Sequence, residues 1–108
     1  MVNKIDGVRG NDYVNPLIVQ PYVKVERAMI DFEQKSIVHH CELIIYTDRI
    51  KTDRHEFAMK EVFDMSYKQV GGGEGFLYLH TVFGVYSYML KDHPTEVIKV
   101  YKSLQAST

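Results

Sequence analysis

The apolar runs of this chain stand so close together that only turns can join them, and this limits its architecture more than any other feature. A parallel β–β connection needs a crossover of about a dozen residues or more, whereas an antiparallel pair closes through a tight turn. Polar or glycine-rich breaks fall at Glu33-Gln34-Lys35-Ser36, Asp48-Arg49, Lys60-Glu61 and Gly71-Gly72-Gly73-Glu74-Gly75. Antiparallel hairpins must therefore dominate.

The runs between these breaks read as strands. Ile37 to Thr47 (IVHHCELIIYT) is rich in β-branched and aromatic residues, and the short run Ala28 to Phe32 precedes it as a hairpin partner. Val62 to Val70 carries Phe63, Met65 and Tyr67 at period two, the spacing of one strand face. Phe76 to Thr81 and Val85 to Leu90 supply two more strands, with Gly84 near their turn. Arg49 to Met59 follows the Asp48-Arg49 turn. Pro16 and Pro21 each lack a ladder donor, so Pro16 to Val25 is expected to break or bend near Pro21.

The period changes at the end of the chain. Asp92-His93-Pro94-Thr95-Glu96 has the chemistry of a helix start: a capping side chain in Asp92, a proline for the first turn and an acid for the dipole. Val97, Ile98, Tyr101 and Leu104 then recur at helical spacing, and Lys99 and Lys102 point away from them. The helix is expected to end between Leu104 and Ser107.

A chain of 108 residues has the size of one domain. Residues 1–15 read as a loosely held polar leader and residues 16–108 as the domain. The apolar share of 45% is enough to build a core without disulfides or a structural metal. Cys41 is the single cysteine, so no intrachain bridge can form, which fits a reducing compartment. The 13 basic residues face 14 acidic ones and interleave with them, a poor balance for neutralising nucleic-acid phosphates. No run reads as a secretory signal or a membrane span, so a cytoplasmic location is expected.

The element order resembles the pleckstrin-homology-like (PH-like) fold, and three stretches carry the likeness. LIIYTDRIKTD at 43–53 is similar to the T-x-x-R-I/L hairpin of bacterial PH-like and GRAM-type domains. FAMKEVFDMSYK at 57–68 looks like the segment that follows it. FLYLHTVFGVYSYMLKDHPTEVIKVYKSL at 76–104 resembles the last hairpin and closing helix. The resemblance implies a mainly β fold: a bent antiparallel barrel or sandwich of about seven strands capped by one C-terminal α-helix. It implies binding of phosphoinositides, peptides or proteins, and it carries no catalytic group.

The candidate sites are weighed against plainer roles. Arg49, Lys51, Arg54 and Lys68 form a candidate patch for an anionic headgroup or small ligand, but Asp48, Asp53 and Glu56 sit among them. His39 and Cys41 share a strand face and would need His55 or His80 to complete a metal site; their spacing matches no zinc signature. Cys41 lies among apolar strand residues, where a thiol packs rather than reacts. GGGEG lacks the GK[ST] ending and the helix of a phosphate-binding loop, so it reads as a hairpin tip. Tyr86, Tyr88 and Leu90 occupy one face of the last strand and Val85, Ser87 and Met89 the other. With both faces bulky, Tyr78, Tyr86 and Tyr88 are expected to form an interface surface. The sequence thus points to a non-enzymatic module without cofactor or metal. It would bind a protein partner or a second copy of itself, as a homo-oligomer, and an anionic membrane surface is the alternative.

Overall fold

The computed structural model describes residues 16–106, so the leader at 1–15 lies outside the described residues. Among the described residues, seven antiparallel strands form one sheet, followed by a single α-helix. The strands are β1 (Ile18–Ile30), β2 (Glu33–Ile45), β3 (Arg49–Lys51), β4 (Glu56–Ala58), β5 (Val62–Gly71), β6 (Glu74–Thr81) and β7 (Gly84–Leu90). The helix α1 spans Thr95–Ala106. No helix among the described residues is long and apolar enough to cross a membrane.

The sheet order is β4-β3-β2-β1-β7-β6-β5, so the two edge strands are neighbours in sequence. Only a 3-10 turn, Met59–Glu61, joins them. Laid flat at about 4.8 Å per strand, the sheet would be roughly 29 Å wide. The step from Ala58 to Val62 covers at most about 14 Å. The sheet must therefore curl until its edges meet at this corner. Backbone bonds fasten the corner to both halves: Met59 N–H donates to the Asp48 carbonyl and Val82 N–H to the Glu61 carbonyl, each at 2.9 Å. β4 and β5 do not pair, so the sheet stays a bent sandwich and not a closed barrel.

The inner face follows period two. In β6, Leu77, Leu79 and Thr81 are buried while Phe76, Tyr78 and His80 are half-buried on the outside. Tyr22, Leu43, Ile45 and Ile50 from one half meet Met65, Leu79 and Leu90 from the other. Helix α1 covers the open end with Val97 and Tyr101. The Tyr101 hydroxyl and Gln105 Nε2 both donate to the Val62 carbonyl, at 3.1 and 2.8 Å. This gives the carbonyl of a buried strand end two donors and anchors the helix. At the helix entrance, where the sequence offered Asp92 as cap, His93 Nδ1 pairs with Thr95 Oγ1 at 2.8 Å.

Four local expectations change. In β5 a bulge between Val62 and Asp64 takes Phe63 off the face expected for Phe63, Met65 and Tyr67, leaving it 66% exposed while Met65 is buried. β1 runs unbroken through Pro21, paired with β2 from Ile18↔Ile45 to Ile30↔Glu33. It meets β7 only at Val23↔Met89, so at Pro21 it behaves as an edge strand, where a missing donor is tolerated. The hairpin turn is Asp31-Phe32, not residues 33–36; both have positive φ, 52° and 66°, as in a type I′ turn. The glycine loop shrinks to the two-residue turn Gly72-Gly73, with φ of 57° and 81°, and its flanks join the strands.

Beyond Lys24 the β1–β2 hairpin leaves the body. From Val25 to His40 every residue is exposed except the half-buried Ala28 and Ile37. The radius of gyration is 15.9 Å, against about 13 Å for a compact chain of 100 residues.

Candidate functional site

The arm and the body part at a cleft. β1 and β7 pair at Val23↔Met89 and then diverge, and the β3–β4 turn closes the wedge with Asp53, Arg54 and His55. Tyr22 and Tyr88 form the floor, edge to face with centroids 4.9 Å apart. Tyr86 lies on the same inner face of β7, against His55 at 4.7 Å and Phe57 at 5.0 Å. The cavity holds about 210 Å³. Small-molecule sites usually hold about 300–1,000 Å³, so this one suits a single side chain or small headgroup.

Asp53 organises the rim. Its carboxylate accepts from the Tyr22 hydroxyl and, at 2.9 Å, from Lys24 Nζ. Its backbone N–H donates to the same phenol oxygen at 3.1 Å. Arg54 Nε lies 3.8 Å from Asp53, with a largely exposed side chain. Burial works to raise the Asp53 carboxyl, but the hydrogen bonds from Tyr22 and Lys24 outweigh it and hold the group below its ordinary range. Burial first, and then the bond to Asp53, pushes the Tyr22 phenol well above its usual value. Burial likewise pushes Tyr88 up to about 12, with Thr52 alongside pulling the other way. Among the described residues no group meets hydrogen-bond geometry at the Tyr88 hydroxyl. The rim thus carries two cations on one carboxylate above an aromatic floor.

A larger groove, of about 540 Å³, continues along the arm past Val25, Glu26, His39, His40 and Cys41. His39 Nε2 pairs with Glu26 Oε1 at 2.9 Å. His55 stacks on Phe57, and His80 Nε2 pairs with Ser66 Oγ at 2.8 Å. Among the described residues no three metal-ligating side chains converge. Cys41 is half-buried against the core.

Of the four basic residues expected to act together, Arg54 lines the cleft and Arg49, Lys51 and Lys68 do not. Arg49 is buried, with Nη1 3.0 Å from Asp48, Nε 3.0 Å from Glu56 and its guanidinium 3.9 Å from the centre of the Tyr46 ring. Its charge is spent on fastening β3. Arg54 reaches the cleft, where it meets Lys24. Lys51 on β3 and Lys68 on β5 line neither cavity described here.

The tyrosines are also placed differently. Tyr88 is core, only 7% exposed, and Tyr86 is half-buried on the same face, so neither forms an outward surface. The outer face of β7 carries Val85, Ser87 and Met89. Tyr78 does face outward, in a row with Phe76 and His80 on β6. The bend explains the difference: it turns the Tyr86-Tyr88-Leu90 face inward against Phe57 and Tyr22.

The sequence reading missed Tyr22, Lys24 and Asp53. Tyr22 and Asp53 are 31 positions apart and belong to no local motif, so only the fold brings them together. The arm tip was missed as well. Phe32 is 100% exposed, Met29 71% and Ile30 41%. Compared with protein-family models, curated proteins and solved structures, the chain matches none.

Proposed function

We propose that the chain is a non-enzymatic, PH-like interaction module that binds protein, including a second copy of itself. The observation that carries this reading is the β1–β2 arm. It is a two-stranded ribbon, exposed on both faces and tipped by Met29, Ile30 and Phe32. An isolated two-stranded hairpin is marginal in water, and exposed apolar tips mark contact surfaces. The strand order and closing helix support the PH-like part of the reading.

The test is a shortened arm. Arg27 and Ser36 are cross-strand partners, so replacing residues 28–35 with Asn-Gly closes the hairpin in register. The variant is expected to keep the circular dichroism of the native chain and lose its oligomer and any captured protein. Unchanged association would remove the arm from the account.

A second reading rests on the cleft rim, where Lys24 and Arg54 share one counterion, Asp53. An anionic headgroup or small ligand would bind there. Binding to vesicles containing phosphatidylserine should then fall steeply with salt and be lost in K24A/R54A. Salt-independent binding, or none, removes this reading.

A further inference from the structure

We propose that two copies of the chain exchange arms, pairing their β1 edges antiparallel about a two-fold axis at Ala28, so that Phe32 of each copy fills the Tyr22–Tyr88 cleft of the other. This rests on the self-association reading above and gives it a partner and a geometry.

The edge is available and has the right length. β2 covers one side of β1 along its whole length, and on the other side no described residue pairs with Lys24 to Ile30. That edge runs from the cleft to the tip. An open edge of this kind is a template for another strand.

The register follows from symmetry. A two-fold axis normal to a sheet keeps each face on its own side, so opposed residues must have the same parity. Placing the tip of one arm at the cleft of the other brings the Asp31-Phe32 turn, which follows the last strand residue Ile30, beside Lys24. Ala28 then opposes itself, Arg27 opposes Met29 and Glu26 opposes Ile30. All these pairs satisfy the parity rule, and none sets like charges face to face. Of the two adjacent permitted registers, one sets Arg27 against Arg27, and like charges directly opposite destabilise a sheet; the other, with Met29 opposing itself, leaves the tip two residues short of Lys24 at the cleft.

The two ends are complementary. Phe32 is fully exposed at the tip, and the cleft is lined by three tyrosines and has room for about one side chain. Asp31 and Glu33 flank Phe32, while Lys24 and Arg54 stand on the cleft rim. Phe32 also sits at φ 66°, where glycine or asparagine would be more comfortable, and makes no ring contact in its own chain among the described residues. A strained, fully exposed aromatic is explained by what it meets outside the chain.

The experiment follows one fluorophore. The chain has no tryptophan, so F32W carries a single reporter at the tip. Its emission and the solution mass are measured together over a range of concentrations. The expected result is a dimer whose formation tracks a blue shift. F32G should raise the dimer dissociation constant about a hundredfold or more, because each substitution removes two anchors per dimer. In a Cys41→Ser background, Ala28→Cys should form a disulfide-linked dimer on mild oxidation and Glu26→Cys should not, since only position 28 opposes itself. A dimer with solvent-exposed emission, or one whose mass survives F32G, overturns the arm exchange and leaves self-association standing. A monomer that captures a foreign protein through the arm overturns the exchange and leaves the module reading. A monomer that captures nothing overturns both.

Discussion

At the scale of single residues, three positions show how local chemistry is set by distant neighbours. Gly75 follows the β5–β6 turn, and a Cβ there would lie 2.4 Å from the Lys68 carbonyl and 2.5 Å from the Tyr67 hydroxyl. Gly75→Ala should therefore cost about 1–3 kcal/mol, read as a lower urea midpoint, because backbone and ring must both move. Phe32 is the reverse case. Phe32→Gly should stabilise the monomer by roughly 0.5–1 kcal/mol, since it relieves a left-handed residue that packs on none of the described residues of its own chain. Asp53 carries a pH signature. Its folded pKa lies below the unfolded value of about 3.9, so its contribution is present above about pH 4 and is lost as the pH falls through the folded value. Asp53→Asn should be less stable than the native chain at neutral pH, and the two urea midpoints should converge in acid. A constant gap down to pH 2 would mean that the Tyr22 and Lys24 bonds do not hold the charged form.

At the scale of elements, the sequence was most legible where one face is buried and the other is wet. β5, β6 and β7 appear within a few residues of their patterned runs and α1 falls on its 3.6 period; in β6, β7 and α1 the core selects every second or every third to fourth side chain, whereas in β5 the bulge after Val62 interrupts the alternation. Legibility failed where tertiary pairing overrules local preference. Pro21 looks like a break, yet β2 holds β1 straight through it. Asp31-Phe32 looks like strand, yet the register of the two long strands forces the turn there. The cleft was illegible for the same reason: Tyr22 and Asp53 meet only after the sheet bends. Helix α1 is held by a few deep contacts, Tyr101 foremost, at 1% exposure and bonded to the Val62 carbonyl. Tyr101→Ala should cost about 3–5 kcal/mol in denaturant unfolding. A loss under 1 kcal/mol would show that the helix does not close the core.

At the scale of the molecule, the geometry is a curled sheet that spends one hairpin on reaching outward. Joining the two edge strands through Met59–Glu61 fixes the curl, and the curl directs the Tyr86–Tyr88 face into the body. What remains outside is the β1–β2 arm, with one edge open from Lys24 to Ile30, and the cleft at its base. The proposed association covers this edge with protein. Amide hydrogen exchange along β1, followed as the chain is concentrated, tests it most directly. Amides between Lys24 and Ile30 should become protected as concentration rises, in step with solution mass, while those of β6 stay constant. Rapid exchange along the arm at every concentration, with or without a captured partner, would contradict it.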